Sequence, residues 1–294
     1  MNRVVFLLFG LVAISVLCSS GRLFACASCG SSGDDVLLMY PNERWKFVSG
    51  VNSQAGFRNL GPDGESYSAG GIERRQFVNV AVGRNLRSDL LFGVTFGLQS
   101  NSSDQRREQG LTDPGIALRW TMLAPNILRP EFPQIQFLAG HRYPIGSSIQ
   151  DTKDPELLDV TSSGYQESRM GLDHWWGQQS FKGGFALMWH RPWPRRFDGR
   201  ENAIAPGSTL RTAGTLAFSF NPQYKITGGI VREQRWQNDS YAELRQYNSF
   251  FNFDYSFDAM RVIRLSFSKN ALPGWDNRNG ARFDSVGLSY QHAI

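Results

Sequence analysis

Beyond residue 17 the chain has no apolar run approaching the ~18–20 residues that carry a helix across a bilayer. If the later chain crosses a membrane, it must do so with strands. Cysteine is scarce, Cys18, Cys26 and Cys29 being the only three, which rules out the disulfide framework of a small secreted domain. An excess of one charge sign is also missing. Lys and Arg number 31 against 26 Asp and Glu in 294 residues, and a net charge of +5 spread over that length does not suggest a nucleic-acid partner. The four histidines, His141, His174, His190 and His292, show no nucleophile–base spacing of the kind that marks lipid-hydrolysing barrels. No cofactor and no enzymatic activity are expected.

The N-terminus reads "MNRVVFLLFGLVAISVLCSSGRLFACASCG". Arg3 is followed by an apolar stretch over 4–17 and by a small-residue exit at Ala25, the pattern of a secretory signal peptide over residues 1–25. Cleavage there removes Cys18 and leaves Cys26 first. The mature chain then divides into a short tail over 26–43, carrying Cys26 and Cys29, and a long remainder over 44–294.

In that remainder the dominant period is two. "DLLFGVTFGLQS" sets Leu90, Phe92, Val94, Phe96 and Leu98 against Gly93, Thr95, Gly97 and Gln99, and "MRVIRLSFSKN" and "FDSVGLSYQH" repeat the pattern. One face is apolar; the other is small or polar. About twelve such segments are predicted, at 44–58, 76–86, 90–100, 115–123, 134–144, 171–181, 185–191, 208–220, 224–236, 246–257, 260–270 and 282–292. Most match the ~9–11 residues that a tilted strand needs to cross a bilayer and exceed the ~5–6 of soluble sheets.

The connections alternate in length. "RSD" (87–89), "KGG" (182–184), "NPQ" (221–223) and residues 258–259 are short, "APNILRPEFP" (124–133) is intermediate, and those between them are long and polar. Such parity predicts an all-β fold: a transmembrane antiparallel up-and-down barrel of about twelve strands, of the bacterial outer-membrane type. Both termini are then periplasmic. A soluble sandwich gives no reason for the parity. Tyr143, Trp189, Trp236 and Trp275 near outer strand ends, with Phe181, Phe220 and Phe257 at inner ends, read as interfacial girdles.

Two segments carry a family resemblance. "GLTDPGIALRWTMLAPNILRPEFPQIQFLAGHRYPIGSS" and "SGYQESRMGLDHWWGQQSF" hold a G-x-x-D-P start at Gly110, Asp113 and Pro114, a Pro-x-Gly at Pro144 and Gly146, and a G-x-x-D opening at Gly171 and Asp173. Over about a quarter of the chain this resembles the outer-membrane transporter family linked to the meta-pathway of phenol degradation. The resemblance implies a barrel of roughly twelve strands that moves small molecules, aromatic or other hydrophobic ones among them, across the outer membrane.

The charged residues on polar faces are Arg119, Arg142, Arg211, Arg264, Asp173 and Asp254. In a lumen they either line a channel and screen solutes by charge and size, or pair with one another and fill a narrow bore. Arg232 and Glu233 sit where the alternation blurs. On the outer loops, Asp151, Asp154, Glu156 and Asp159 lack the order and central glycine of a calcium loop. The pairs Arg106-Arg107 and Arg195-Arg196 suit either lipopolysaccharide phosphates or plain solvation. The expected surroundings are outer-membrane lipid and lipopolysaccharide, and the expected partner is a small-molecule solute.

The Cys26/Cys29 pair has three readings. In an oxidising compartment the two form a disulfide or thiol redox pair closing a tiny loop; with Ala25 at −1, Cys26 is a candidate for lipidation; and a metal would need two further ligands from a partner. A second function therefore stands beside the channel. A scaffold barrel would anchor a periplasmic redox or metal-handling protein through the tail.

Overall fold

A computed structural model of the chain describes residues 44–68, 71–124, 132–177, 180–197, 202–238, 241–258 and 260–294. The signal-peptide and tail assignments over residues 1–43, with Cys26 and Cys29, lie outside the described residues. The strands are β1 (Trp45–Leu60), β2 (Ser66–Ser68), β3 (Arg74–Arg87), β4 (Leu90–Ser102), β5 (Arg107–Leu111), β6 (Gly115–Leu123), β7 (Gln134–Arg142), β8 (Glu167–Gly177), β9 (Phe181–Pro192), β10 (Thr209–Ser219), β11 (Tyr224–Arg235), β12 (Leu244–Ser256), β13 (Arg261–Lys269) and β14 (Ala281–Ala293).

β2 and β5 are short loop extensions on β1 and β4. The other twelve form a closed antiparallel barrel in which each strand pairs with its barrel neighbours in chain order and β14 returns to β1. Closure leaves no open edge, which is what a sheet in hydrocarbon requires, because an unpaired N–H or C=O there has no water to bond. The seam runs from Lys46↔Ala293 to Asn59↔Ala281, with a bulge between Ala55 and Arg58. Gly56 sits in that bulge at φ 73°, a conformation that glycine adopts without strain.

Inside and outside are inverted relative to a soluble protein. Phe96, Leu98, Leu216 and Val286 point outward and are exposed, whereas Gln99, Asn101, Thr215 and Ser285 point inward and are buried. This is the alternation of a lipid-facing barrel with a polar lumen. Aromatic side chains stand exposed at both rims: Trp45, Phe47, Trp120, Trp176, Phe181 and Phe220 toward the short turns, and Tyr143, Trp193, Trp236 and Trp275 toward the long loops.

One connection departs from the sequence-based expectation. Lys182, Gly183 and Gly184 are not a turn but lie within β9; β8 ends at Gly177 and β9 begins at Phe181, about four residues before the predicted segments. The physical reason is a pair of rings. Trp175 and Trp176 lie opposite Gly184 and Gly183 in the ladder, and a Cβ on Gly184 would stand 2.8 Å from the Trp175 ring. The glycines serve close packing rather than chain reversal. The first segment, which shows little alternation in sequence, forms the longest strand, with 16 residues.

Candidate functional site in the lumen

At the end carrying the short turns, cross-strand register brings charges together. Lys225↔Asp254 and Asp254↔Arg264 are direct partners on β11, β12 and β13. Asp254 accepts from Arg264 Nε at 2.6 Å and Nη2 at 2.9 Å and lies 3.2 Å from Lys225 Nζ. All three side chains are nearly excluded from solvent. A bidentate guanidinium with a second cation satisfies both carboxylate oxygens, the condition under which burial of such charges is tolerated. A second group forms across β6, β7 and β8. There Arg119 Nη1 donates to Gln136 Oε1 at 2.6 Å and lies 3.7 Å from Asp173, while Gln136 Nε2 donates to Thr121 Oγ1.

Higher in the barrel one ladder row carries six inward side chains around successive strands: Phe250, Ser268, Ser285, Gln54, Arg75 and Asn101. The Ser268 and Ser285 hydroxyls are 2.6 Å apart, and Arg75 Nε donates to Asn101 Oδ1 at 3.1 Å. Phe250 faces Gly229, where a Cβ would approach its ring to 2.8 Å. The ring thus lies along the wall instead of standing in the bore.

These walls enclose a cavity of about 710 Å³ that reaches from Arg264 and Gln291 up to Thr161 and Ser163. Its roof is the long connection between β7 and β8, folded inward. Asn101 Nδ2 donates to the carbonyls of Leu158 and Val160, both at 2.8 Å, and Gln99 Nε2 donates to Val160 at 3.0 Å. Asp113 pins both ends of the loop, accepting from Ile145 N at 3.3 Å and from Ser163 N and Oγ at 2.9 and 3.0 Å. Gly110 abuts Thr161, whose Oγ1 would lie 2.7 Å from a Cβ there, and Gly146 abuts the same threonine. Three of the residues that carry the family resemblance, Gly110, Asp113 and Gly146, therefore hold or abut this loop.

The outer basic pairs are engaged in the same cap. Arg106 Nη1 meets Asp154 Oδ1 at 3.0 Å, Arg107 Nε donates to Ser100 Oγ at 2.7 Å, and Arg195 Nη1 donates to the Gly164 carbonyl at 2.9 Å. Burial pushes the Asp154 carboxyl up, but the Glu156 N–H and the Arg106 guanidinium outweigh it and hold the group below the usual aspartate range. The Tyr165 and Tyr241 hydroxyls bond each other, and Gln150 Nε2 donates to both.

The six charged residues singled out by sequence divide between two environments. Arg119, Asp173 and Asp254 are buried in ion pairs, Arg142 and Arg211 line the cavity, and Arg264 does both. Glu233, ambiguous in sequence, faces inward 3.7 Å from Arg211, whereas Arg232 stacks over Tyr247. Several lumen residues were not anticipated. Lys225 was legible two places before Thr227 on the same face, but Arg75, Phe77, Phe250 and Phe283 break the greasy-out pattern and carry no sequence signal.

No sequence-family model and no curated protein matches the chain. Among solved structures, an outer-membrane channel from Pseudomonas putida F1 superposes over 90% of this chain and 100% of its own, with TM-score 0.68 and 12% identity. The NanC porin covers 84% of this chain and 100% of its own, with TM-score 0.51 and 8% identity. At such identities the likeness concerns the fold, which is that of outer-membrane barrels.

Proposed function

We propose that the chain is an outer-membrane channel that passes small solutes, aromatic and other hydrophobic ones among them, through its lumen. The observation that carries this reading is the cavity of about 710 Å³ held inside a closed barrel whose outer face is apolar and whose inner face is polar. A protein that needed only a membrane anchor would fill that space with side chains. Lumen charge of both signs is the usual means by which a pore screens solutes. The rings at the two rims support insertion in a bilayer, with the short turns, the start of β1 and the end of β14 on the periplasmic side and the long loops facing lipopolysaccharide. The reading involves no catalytic step.

The test is single-channel recording on the full chain folded into planar bilayers, with liposome swelling by small sugars and aromatic solutes alongside. Discrete conductance steps and swelling are expected. A folded barrel that conducts nothing and swells no liposome would refute the channel.

A further inference from the structure

The cavity has two chemically different sides. On the arc from β12 through β14 and β1 to β3, Phe250, Phe283 and Phe77 face inward; Phe57 packs on Phe283 with ring centroids 5.1 Å apart, and Arg75 lies 5.2 Å above Phe57. On the opposite arc Arg142 of β7 and Arg211 of β10 face the same space. The ionisable groups on the cavity wall are the four guanidiniums of Arg75, Arg142, Arg211 and Arg264 and the two carboxylates of Asp113 and Glu233. Arg264 is already committed to Asp254, Asp113 to the roof loop, and Glu233 lies 3.7 Å from Arg211, so guanidiniums still outnumber carboxylates on the wall.

An aromatic side facing a guanidinium side selects for shape and charge together. A ring gains by leaving water against other rings, and an anionic group gains from guanidinium hydrogen bonds in a space of lowered dielectric. A neutral arene satisfies only the first side, and a small inorganic or aliphatic anion only the second. Gly229 clears the wall for Phe250, so the rings offer faces without closing the cavity.

We propose that this cavity is a binding site for small aromatic anions of the arene carboxylate class, with the ring against Phe77, Phe250 and Phe283 and the acid group toward Arg142 and Arg211. The inference rests on the reading of the lumen as a solute path and gives that path a preferred cargo. A cavity of this size admits one such molecule with water around it.

Benzoate is the probe, with benzyl alcohol as the uncharged control and acetate as the ringless one. Calorimetric titration of the full chain in detergent micelles is expected to give benzoate binding at least tenfold tighter than either control. In bilayers, benzoate should interrupt the ion current at concentrations at which the controls do not. Arg142→Gln with Arg211→Gln should reduce benzoate to the level of benzyl alcohol, and Phe77→Ala with Phe250→Ala should reduce it to the level of acetate. Both variants are first checked for folding by heat-dependent gel mobility. Equal binding of the three probes, or benzoate binding unchanged in either folded variant, would overturn the site. The two readings fail separately. Benzoate binding without conductance keeps the site and removes the channel, whereas conductance without benzoate preference keeps the channel and removes the site.

Discussion

The two ends of the lumen are narrowed by different chemistry. At the short-turn end the blocking groups are charged side chains on strands, each opposite its partner in the ladder, as in Lys225, Asp254 and Arg264. At the long-loop end the blocking group is backbone, the inward-folded connection held by the neutral amides of Gln99 and Asn101. A strand-borne ion pair can separate only by rotamer changes that leave buried charges unpaired, because its backbone is fixed in the ladder. The loop hangs on the neutral donors of Gln99 and Asn101, each bond worth about 1 kcal/mol net, and on charged ties through Asp113 and Asp154, all of which can break while the strands stay put. The floor belongs to the barrel strands, and the roof hangs from them.

That contrast breaks most visibly at Asp254. Asp254→Ala leaves two buried cations facing each other, and the barrel is expected to lose about 3–5 kcal/mol, read from denaturant unfolding in lipid vesicles by tryptophan fluorescence. A loss under about 1 kcal/mol would mean that water already screens the floor. Gly184→Val comes next. The new side chain meets the Trp175 ring, and overpacking of about 1–3 kcal/mol should appear in the same unfolding curve.

The roof should respond in function more than in stability. Asn101→Ala removes both donors to Leu158 and Val160, with an expected cost near 2 kcal/mol and a severalfold rise in unit conductance. Stability that falls with conductance unchanged would make the roof as fixed as the floor. The smallest effect is pH-dependent. Because the folded Asp154 carboxyl sits below its usual value of ~3.9, its tie to Arg106 stabilises the loop above that value and fades as pH drops through the lowered folded one. Protease cleavage within 143–166 should rise only in that acidic window, and Asp154→Asn should remove the step.

The alternation of Phe96, Leu98 and Gln99 and the parity of loop lengths made the barrel and its strand number legible in the sequence, because each is a local, period-two property. The partnerships were not, since whether Asp254 lines a pore or binds Arg264 depends on which residues stand opposite across the ladder, and register is a property of pairs of strands. The turn placed at 182–184 failed for a related reason. Glycines read alone suggest reversal; read beside Trp175 and Trp176, they are space for rings. The inward fold of the 143–166 loop likewise depends on Asn101, distant in sequence and unremarkable within its own strand.

Because one carboxylate, Asp113, pins the loop at both Ile145 and Ser163, the segment between those points is in effect a closed ring whose two ends meet at one peg. Stretches of that ring away from its contacts with Gln99 and Asn101 touch no strand register, so their length can change with the ladder intact. For the engineer, the stretch between the pins is a cassette, and the peg is the residue to leave untouched.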